Sequence, residues 1–305
     1  MVPSNITGMV PRRVLIPLAG VLVIAVVLTA LLQGATKTST KPVIVSGISQ
    51  WGALARQLAA PDATVVALLS DPNADPHDHE ATVSDAENVA NASIVIVNGA
   101  GYDTWLSQLV SARSSKVTTI DMARIMGVAN GQNPHIFYNP LAAIRFVKTL
   151  TAMLEAHAGY PGVAARSSTL LAQLDLIQRQ MVLIRQSCAG VHVAATEDVT
   201  TYLLSDAGLD IVTPESLRLA IGNSVDPSVQ ELATALNQLR RHPAFLIDNI
   251  QTATPLTNEM VAQAGASHVP VIKVTETMVG TSYPKWLGEV IAKIKTDLIK
   301  QGCLT

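Results

Sequence analysis

Cysteine is nearly absent: the 305 residues hold two, Cys188 and Cys303. Two thiols cannot build paired CxxC metal knuckles, whatever the fold. Outside the cytoplasm so sparse a pair can close one disulfide, and two buried free thiols are the other reading. A bridge would staple the second half of the chain, because Cys188 opens that half and Cys303 sits at its end. Charge is scarce as well, at 14% of residues with a formal net charge of -2, and no long basic stripe is present. A polyanion needs clustered cations to displace its counterions, so no nucleic-acid partner is expected. Missing too are a His-Glu-x-x-His helix, a nucleophile elbow and a glycine-rich phosphate loop. Gly99-Ala100-Gly101 is only a fragment of such a loop and reads as a turn after a strand. For a metal-dependent hydrolase, Glu80 is the carboxylate nearest to a general base, and an adhesion or structural protein is the other rival class.

What is present in quantity is apolar. At 49% hydrophobic residues the chain is too apolar for disorder, and it is long enough for two domains. Part of that excess is residues 14–32, nineteen positions without a charge, preceded by Arg12 and Arg13. About 20 apolar residues span a bilayer as a helix, and a basic flank orients the N-terminus inward. Gln33-Gly34-Ala35 makes a poor cleavage site and no cysteine follows for a lipid. The expectation is an exported chain whose residues 1–40 form a membrane segment and tether, leaving the folded part outside the cytoplasm.

The folded part reads as α/β twice over. Apolar runs at 43–45, 65–69, 94–97 and 117–120 alternate with helical patterns at 51–60 and 102–109. Short continuous apolar strands separated by helices predict a parallel sheet covered on both faces. The rhythm returns with strands at 191–195, 211–212, 244–247 and 271–274, and helices at 199–207, 228–239 and 256–264. Between the halves, Pro140 opens a helix to about 158, Gly159-Tyr160-Pro161-Gly162 breaks it, and 163–186 carries no Gly or Pro. The predicted architecture is two lobes, 41–160 and 188–305, each with a mostly parallel sheet, joined by a long rigid helix within 161–187. One continuous sheet is the alternative.

Two proline-histidine loops stand out. Asp75-Pro76-His77-Asp78-His79-Glu80 follows the second strand directly, and Asn133-Pro134-His135 precedes the next helix. Loops at the carboxyl ends of parallel strands are where such sheets bind ligands. In the second half, strand ends lead into Thr196-Glu197-Asp198 and Thr275-Glu276. Acidic residues there also serve as helix caps, a role that suits Asp198. Two histidines from one lobe and two carboxylates from the other would form a compact site, and nitrogen with oxygen ligands suits zinc or manganese.

These phrases carry a resemblance. Asp75-Pro76-His77, Ser84-Asp85 before a helix, the stretch 92–99, the stretch 102–106 with Trp105, and Asn133-Pro134-His135-Ile136-Phe137 followed by Asn139-Pro140 are similar to signatures of one family. The chain resembles the metal-binding receptors of bacterial ABC importers for zinc and manganese, a family that includes adhesin-like lipoproteins, over almost all of 43–298. The resemblance implies a non-enzymatic, extracytoplasmic receptor, taken here as a monomer, that hands one Zn2+ or Mn2+ to a membrane permease. It implies ligands at His77, His135, Glu197 and Glu276. The family usually has a third histidine where Glu197 stands, followed by a tyrosine matched by Tyr202, and an aspartate where Glu276 stands. A site this rich in carboxylate shifts the balance towards manganese. The long acidic and histidine-rich loop of zinc receptors is missing; Asp78 and His79 are a small remnant of it, or His79 replaces a lost ligand. Relatives of similar architecture bind chelated iron or cobalamin, for which the Pro-His loops would serve no purpose.

Overall fold

The computed structural model describes residues 41–72, 76–157, 159–278 and 282–304, with Met1 and Gly280. The apolar segment at 14–32, its tether and Asp75 lie outside the described residues. Among the described residues no helix is long and apolar enough to cross a membrane. Lys41–Thr305 forms a compact unit containing two separate four-stranded sheets, so the single continuous sheet is ruled out.

The first sheet is built from β1 (Val43–Ile48), α1 (Ser49–Ala59), β2 (Thr64–Leu69), α2 (Val83–Asn91), β3 (Ile94–Val97), α3 (Thr104–Ser111) and β4 (Thr118–Asp121). Its strands lie in the order β2-β1-β3-β4, all parallel, with Val45 in register with both Val66 and Val95. All four residues of β3, Ile-Val-Ile-Val, are buried, as a central strand with helices on both faces requires. After the short α4 (Met122–Met126) the chain enters α5 (Pro140–Glu155), capped by the Asn139 side chain with Pro140 in its first turn.

The connecting helix α6 spans Val163–Cys188, 26 residues and so about 39 Å at 1.5 Å per residue. Its buried positions, Val163, Ser167, Leu170, Leu174, Ile177, Met181, Ile184 and Cys188, recur every three or four residues and make one apolar stripe. It ends two residues beyond the sequence expectation, at Cys188, whose sulfur is bonded to that of Cys303.

The second sheet repeats the first: β5 (His192–Ala195), α7 (Thr201–Asp206), β6 (Asp210–Ile211), α8 (Glu215–Gly222), α9 (Val229–Leu239), β7 (Leu246–Asn249), α10 (Pro255–Ala266) and β8 (Val271–Val274), then α11 (Tyr283–Lys300). The order is β6-β5-β7-β8, again all parallel. Two helices had no counterpart in the sequence reading. α4 is five residues long, too short for periodicity to register, and α8 begins directly after Pro214. Strand β7 runs two residues past its expected end and so delivers Asn249 to the carboxyl edge of the sheet.

One apolar core unites the two lobes. Ile44, Trp51, Phe146, Leu174, Leu203, Phe245, Trp286 and Leu298 belong to a single buried cluster. α1 packs on α5, α6 and α11, and α11 packs on α6, so helices from both lobes share the stripe of α6. Truncating a fully buried member such as Leu174 to alanine would cost about 2–5 kcal/mol. The carboxyl ends of β2, β3, β5, β7 and β8 are the segments that supply the site.

Candidate metal centre

His77 sits in a 3-10 turn, Pro76–Asp78, just beyond β2; His135 opens the 3-10 turn Ile136–Tyr138; Glu276 follows β8. They come from different lobes and meet at one atom. The Nε2 atoms of His77 and His135 lie 3.1 Å and 3.2 Å from the same carboxylate oxygen, Glu276 Oε2. One potential ligand atom from each of the three lies within 4.8 Å of the others. Glu276 and His135 are 1% and 3% exposed, whereas the His77 side chain keeps 24% of its surface, so the cluster is closed on all but one side.

A carboxylate this buried needs several donors. The Tyr102 hydroxyl donates to Glu276 Oε2 at 2.9 Å and the Asn249 amide donates to Oε1 at 2.8 Å. The Gln50 side-chain amide donates to the Glu276 carbonyl across the lobes. Burial alone would raise the Glu276 carboxyl, but the imidazoles of His135 and His77 outweigh it and hold the group well below the usual carboxylate range. Burial, then the Glu276 charge, pushes the Tyr102 phenol well above its ordinary value, so it stays a donor.

Local sequence explains how Tyr102 arrives there. Gly99, Ala100 and Gly101 all have positive φ (78°, 54° and 91°), a turn that glycine enters without cost. A Cβ on Gly99 would stand 2.6 Å from Asp121 Oδ1, so a side chain there is barred by space as well. The buried Asp103 carboxylate accepts from the backbone N–H groups of Asn98 (2.7 Å) and Gly99 (2.8 Å) and fastens the turn. The Asn98 side chain donates to the Pro134 carbonyl at 2.8 Å, tying that turn to the His135 loop.

His135 is oriented by Asn133. The Asn133 side-chain oxygen accepts from the His135 backbone N–H at 2.9 Å and lies 2.8 Å from His135 Nδ1. An amide oxygen can only accept, so Nδ1 is protonated and donates to it, and Nε2 is the nitrogen turned towards Glu276. The Asn133 amide nitrogen donates to the Asp198 carbonyl at 2.8 Å, so the same side chain also bridges the lobes.

Of the four residues the resemblance implied, His77, His135 and Glu276 come together directly. Glu197 is a neighbour but stays outside that three-residue group, 1% exposed, with Oε1 accepting from Thr252 Oγ1 at 2.7 Å and Oε2 buried without a hydrogen-bond partner. Burial, then repulsion from Glu276, pushes its carboxyl up to about 7. Asp198 is engaged elsewhere: it pairs with Arg218 and accepts from Thr201 Oγ1 at 2.7 Å. His79 packs its ring 4.5 Å from Trp105 and pairs with Asp85 at 3.3 Å, while Asp78 is exposed; neither belongs to the cluster. A cleft of about 210 Å³, lined by His77, Tyr102, His135, Asp198 and Arg218, opens onto the cluster.

Tyr102, Asn133 and Asn249 had no functional role in the sequence reading. Tyr102 and Asn133 lay inside the quoted phrases. Asn249 ends a parallel strand, the one signal that would have drawn attention to it.

Residues 44–297 match the family described as zinc-uptake complex component A, periplasmic. The chain belongs to this family. The resemblance read from its motifs therefore holds, and so does the two-lobed α/β fold. A protein of Thermotoga maritima, carried under the name of a candidate metal-binding protein, is 24% identical over 176 residues, 57% of this chain. The match spans 64% of that relative's length. Among solved structures, the solute-binding protein FpvC of Pseudomonas aeruginosa in complex with Ni2+ superposes with a TM-score of 0.69 at 17% identity, covering 87% of this chain and 99% of FpvC. A structure of ZnuA superposes with a TM-score of 0.66 at 19% identity, covering 83% and 98%. A Cd-bound periplasmic metal-binding protein of Candidatus Liberibacter asiaticus gives 0.66 at 17% identity, covering 83% and 98%. At such identities these likenesses speak for the fold alone.

Proposed function

We propose that this chain is an extracytoplasmic receptor that captures one divalent transition-metal ion, zinc or manganese, between its lobes and passes it to the permease of an ABC importer. The observation that carries the reading is the convergence of two imidazole nitrogens from one lobe on a single buried carboxylate oxygen of the other. His77, His135 and Glu276 are the ligands in this reading, and Glu197, outside that close group but with its Oε2 unpartnered, joins them as the fourth donor when an ion draws it in. An ion at the centre replaces the hydrogen bonds among these groups with metal bonds to nitrogen and oxygen, a donor set suited to both cargoes.

Four protein donors fill a tetrahedral shell and leave no position for a reacting water, which supports a receptor over a hydrolase. The partly exposed His77 is the group that meets the incoming ion first. Every donor comes from one chain, which supports action as a monomer with lobes 41–160 and 188–305 on the helix between them. Residues 14–32 serve as the membrane anchor, and the Cys188–Cys303 bridge suits an oxidising compartment. The test is calorimetric titration of the metal-stripped protein with zinc and with manganese. Saturable one-to-one binding without turnover of model esters or peptides is the expected outcome. Failure to bind either ion refutes the reading.

A further inference from the structure

We propose that Asn249 sets the ion selectivity of this site by holding Glu276 as a ligand through one oxygen only. The inference rests on the ligand assignment above and adds which ion that ligand set prefers. Asn249 is fully buried at the end of β7, in register with Val274 of β8, two residues before Glu276. Its own backbone N–H faces Thr196 Oγ1 at 3.3 Å. Its side-chain oxygen accepts from the Gln251 backbone N–H at 3.2 Å, which fixes the amide's orientation. The side-chain nitrogen is therefore the group that meets Glu276 Oε1, at 2.8 Å, and the same side chain also hydrogen-bonds Glu197.

The two oxygens of Glu276 are thus given different work. Oε2 faces both imidazoles and accepts from Tyr102, while Oε1 is occupied by a buried amide donor. Oε1 keeps a second lone pair, but the fixed amide holds the carboxylate with Oε2 turned to the imidazoles, and swinging Oε1 towards an ion would strain the bond from a buried N–H. One-oxygen ligation by Glu276, with two imidazoles and the free oxygen of Glu197, gives four donors. That number matches tetrahedral zinc, whereas manganese is served by more numerous oxygen ligands. A carboxylate-rich composition, which by count alone points towards manganese, is here restrained to a zinc-like coordination number.

The experiment compares the full chain with Asn249→Leu, which keeps the branched shape and removes the donor at the cost of a bulkier side chain, and with Asn249→Ala, which removes the donor without added bulk. Zinc and manganese affinities are measured by competition titration, and the visible spectrum of the cobalt(II)-loaded proteins reports coordination number. The wild type is expected to prefer zinc and to give the intense bands of four-coordinate cobalt. In both variants the zinc-to-manganese affinity ratio should fall about tenfold or more, with weakened cobalt bands. A ratio unchanged within about twofold, or a wild-type cobalt spectrum of five or six ligands, overturns the role of Asn249 while leaving the receptor reading intact. A wild type that binds none of these ions overturns the ligand assignment and this inference together. Even where a variant does not fold, a wild-type spectrum of five or six ligands still overturns the proposal.

Discussion

Replacing Asn133 with alanine separates the orienting groups of the site from the groups offered to the ion. Asn133 is not among the proposed ligands, yet its oxygen accepts from His135 Nδ1–H at 2.8 Å and its amide donates to the Asp198 carbonyl of the other lobe at 2.8 Å. In Asn133→Ala the His135 ring loses the partner that fixes its tautomer and its rotation. Losses of this kind typically weaken metal binding by about 10–100-fold, equivalent to about 1.4–2.7 kcal/mol. The missing interlobe hydrogen bond costs about 1 kcal/mol of stability, which lowers Tm by about 2–4 °C. Competition against a chromophoric chelator reads the affinity, and a thermal melt of the metal-free protein reads the stability. Both zinc and manganese should weaken, because a misoriented imidazole harms any ion. A lowered Tm with unchanged affinity would refute the reasoning and reduce Asn133 to a lobe-to-lobe tie.

His77→Ala is expected to abolish tight binding while leaving Tm nearly unchanged, since that side chain is partly exposed; equilibrium dialysis decides it, and near-normal affinity would remove His77 from the ligand set. Binding should weaken as pH falls through about 7, because Glu197, raised to about 7 by burial and by Glu276, must then release a proton to solvent before it can ligate the ion; the limiting slope is about tenfold per pH unit. The same shift has the opposite sign for the empty protein. A folded value above the ordinary 4.5 means that the Glu197 proton stabilises the metal-free fold at low pH, an advantage lost as pH rises towards about 7. Glu197→Gln should therefore raise the metal-free Tm at pH 8 and flatten the pH dependence of binding, and a lowered Tm would count against this. Cys188→Ser opens a bridge between residues 115 apart and should cost about 2–5 kcal/mol, seen as a lower Tm, with metal affinity retained.

Much of this was legible before any coordinates. The strands announced themselves because a parallel sheet buried on both faces leaves continuous runs such as Ile94-Val95-Ile96-Val97. The connecting helix was legible because a long stretch without Gly or Pro carries one apolar stripe. The histidines were legible because Pro-His pairs at two strand-to-helix loops are a local pattern. Asn133 stood in plain view in one of those phrases, but its work depends on Asp198, 65 positions away. No local pattern marks a contact of that kind.

Sequence by itself determined the twice-repeated α/β rhythm, the two histidine loops and the family, since each rests on residues close together in the chain. Tertiary structure alone decided which carboxylate the histidines meet, because that pairing spans 141 positions between His135 and Glu276. It also decided that His79 pairs with Asp85, that Glu197 keeps a bare oxygen beside the cluster, and that Asn249 holds one oxygen of Glu276. The physical reason is the same for each. Propensity and periodicity act within a few residues, whereas a carboxylate buried between two lobes takes its partners from whichever strand ends packing brings together.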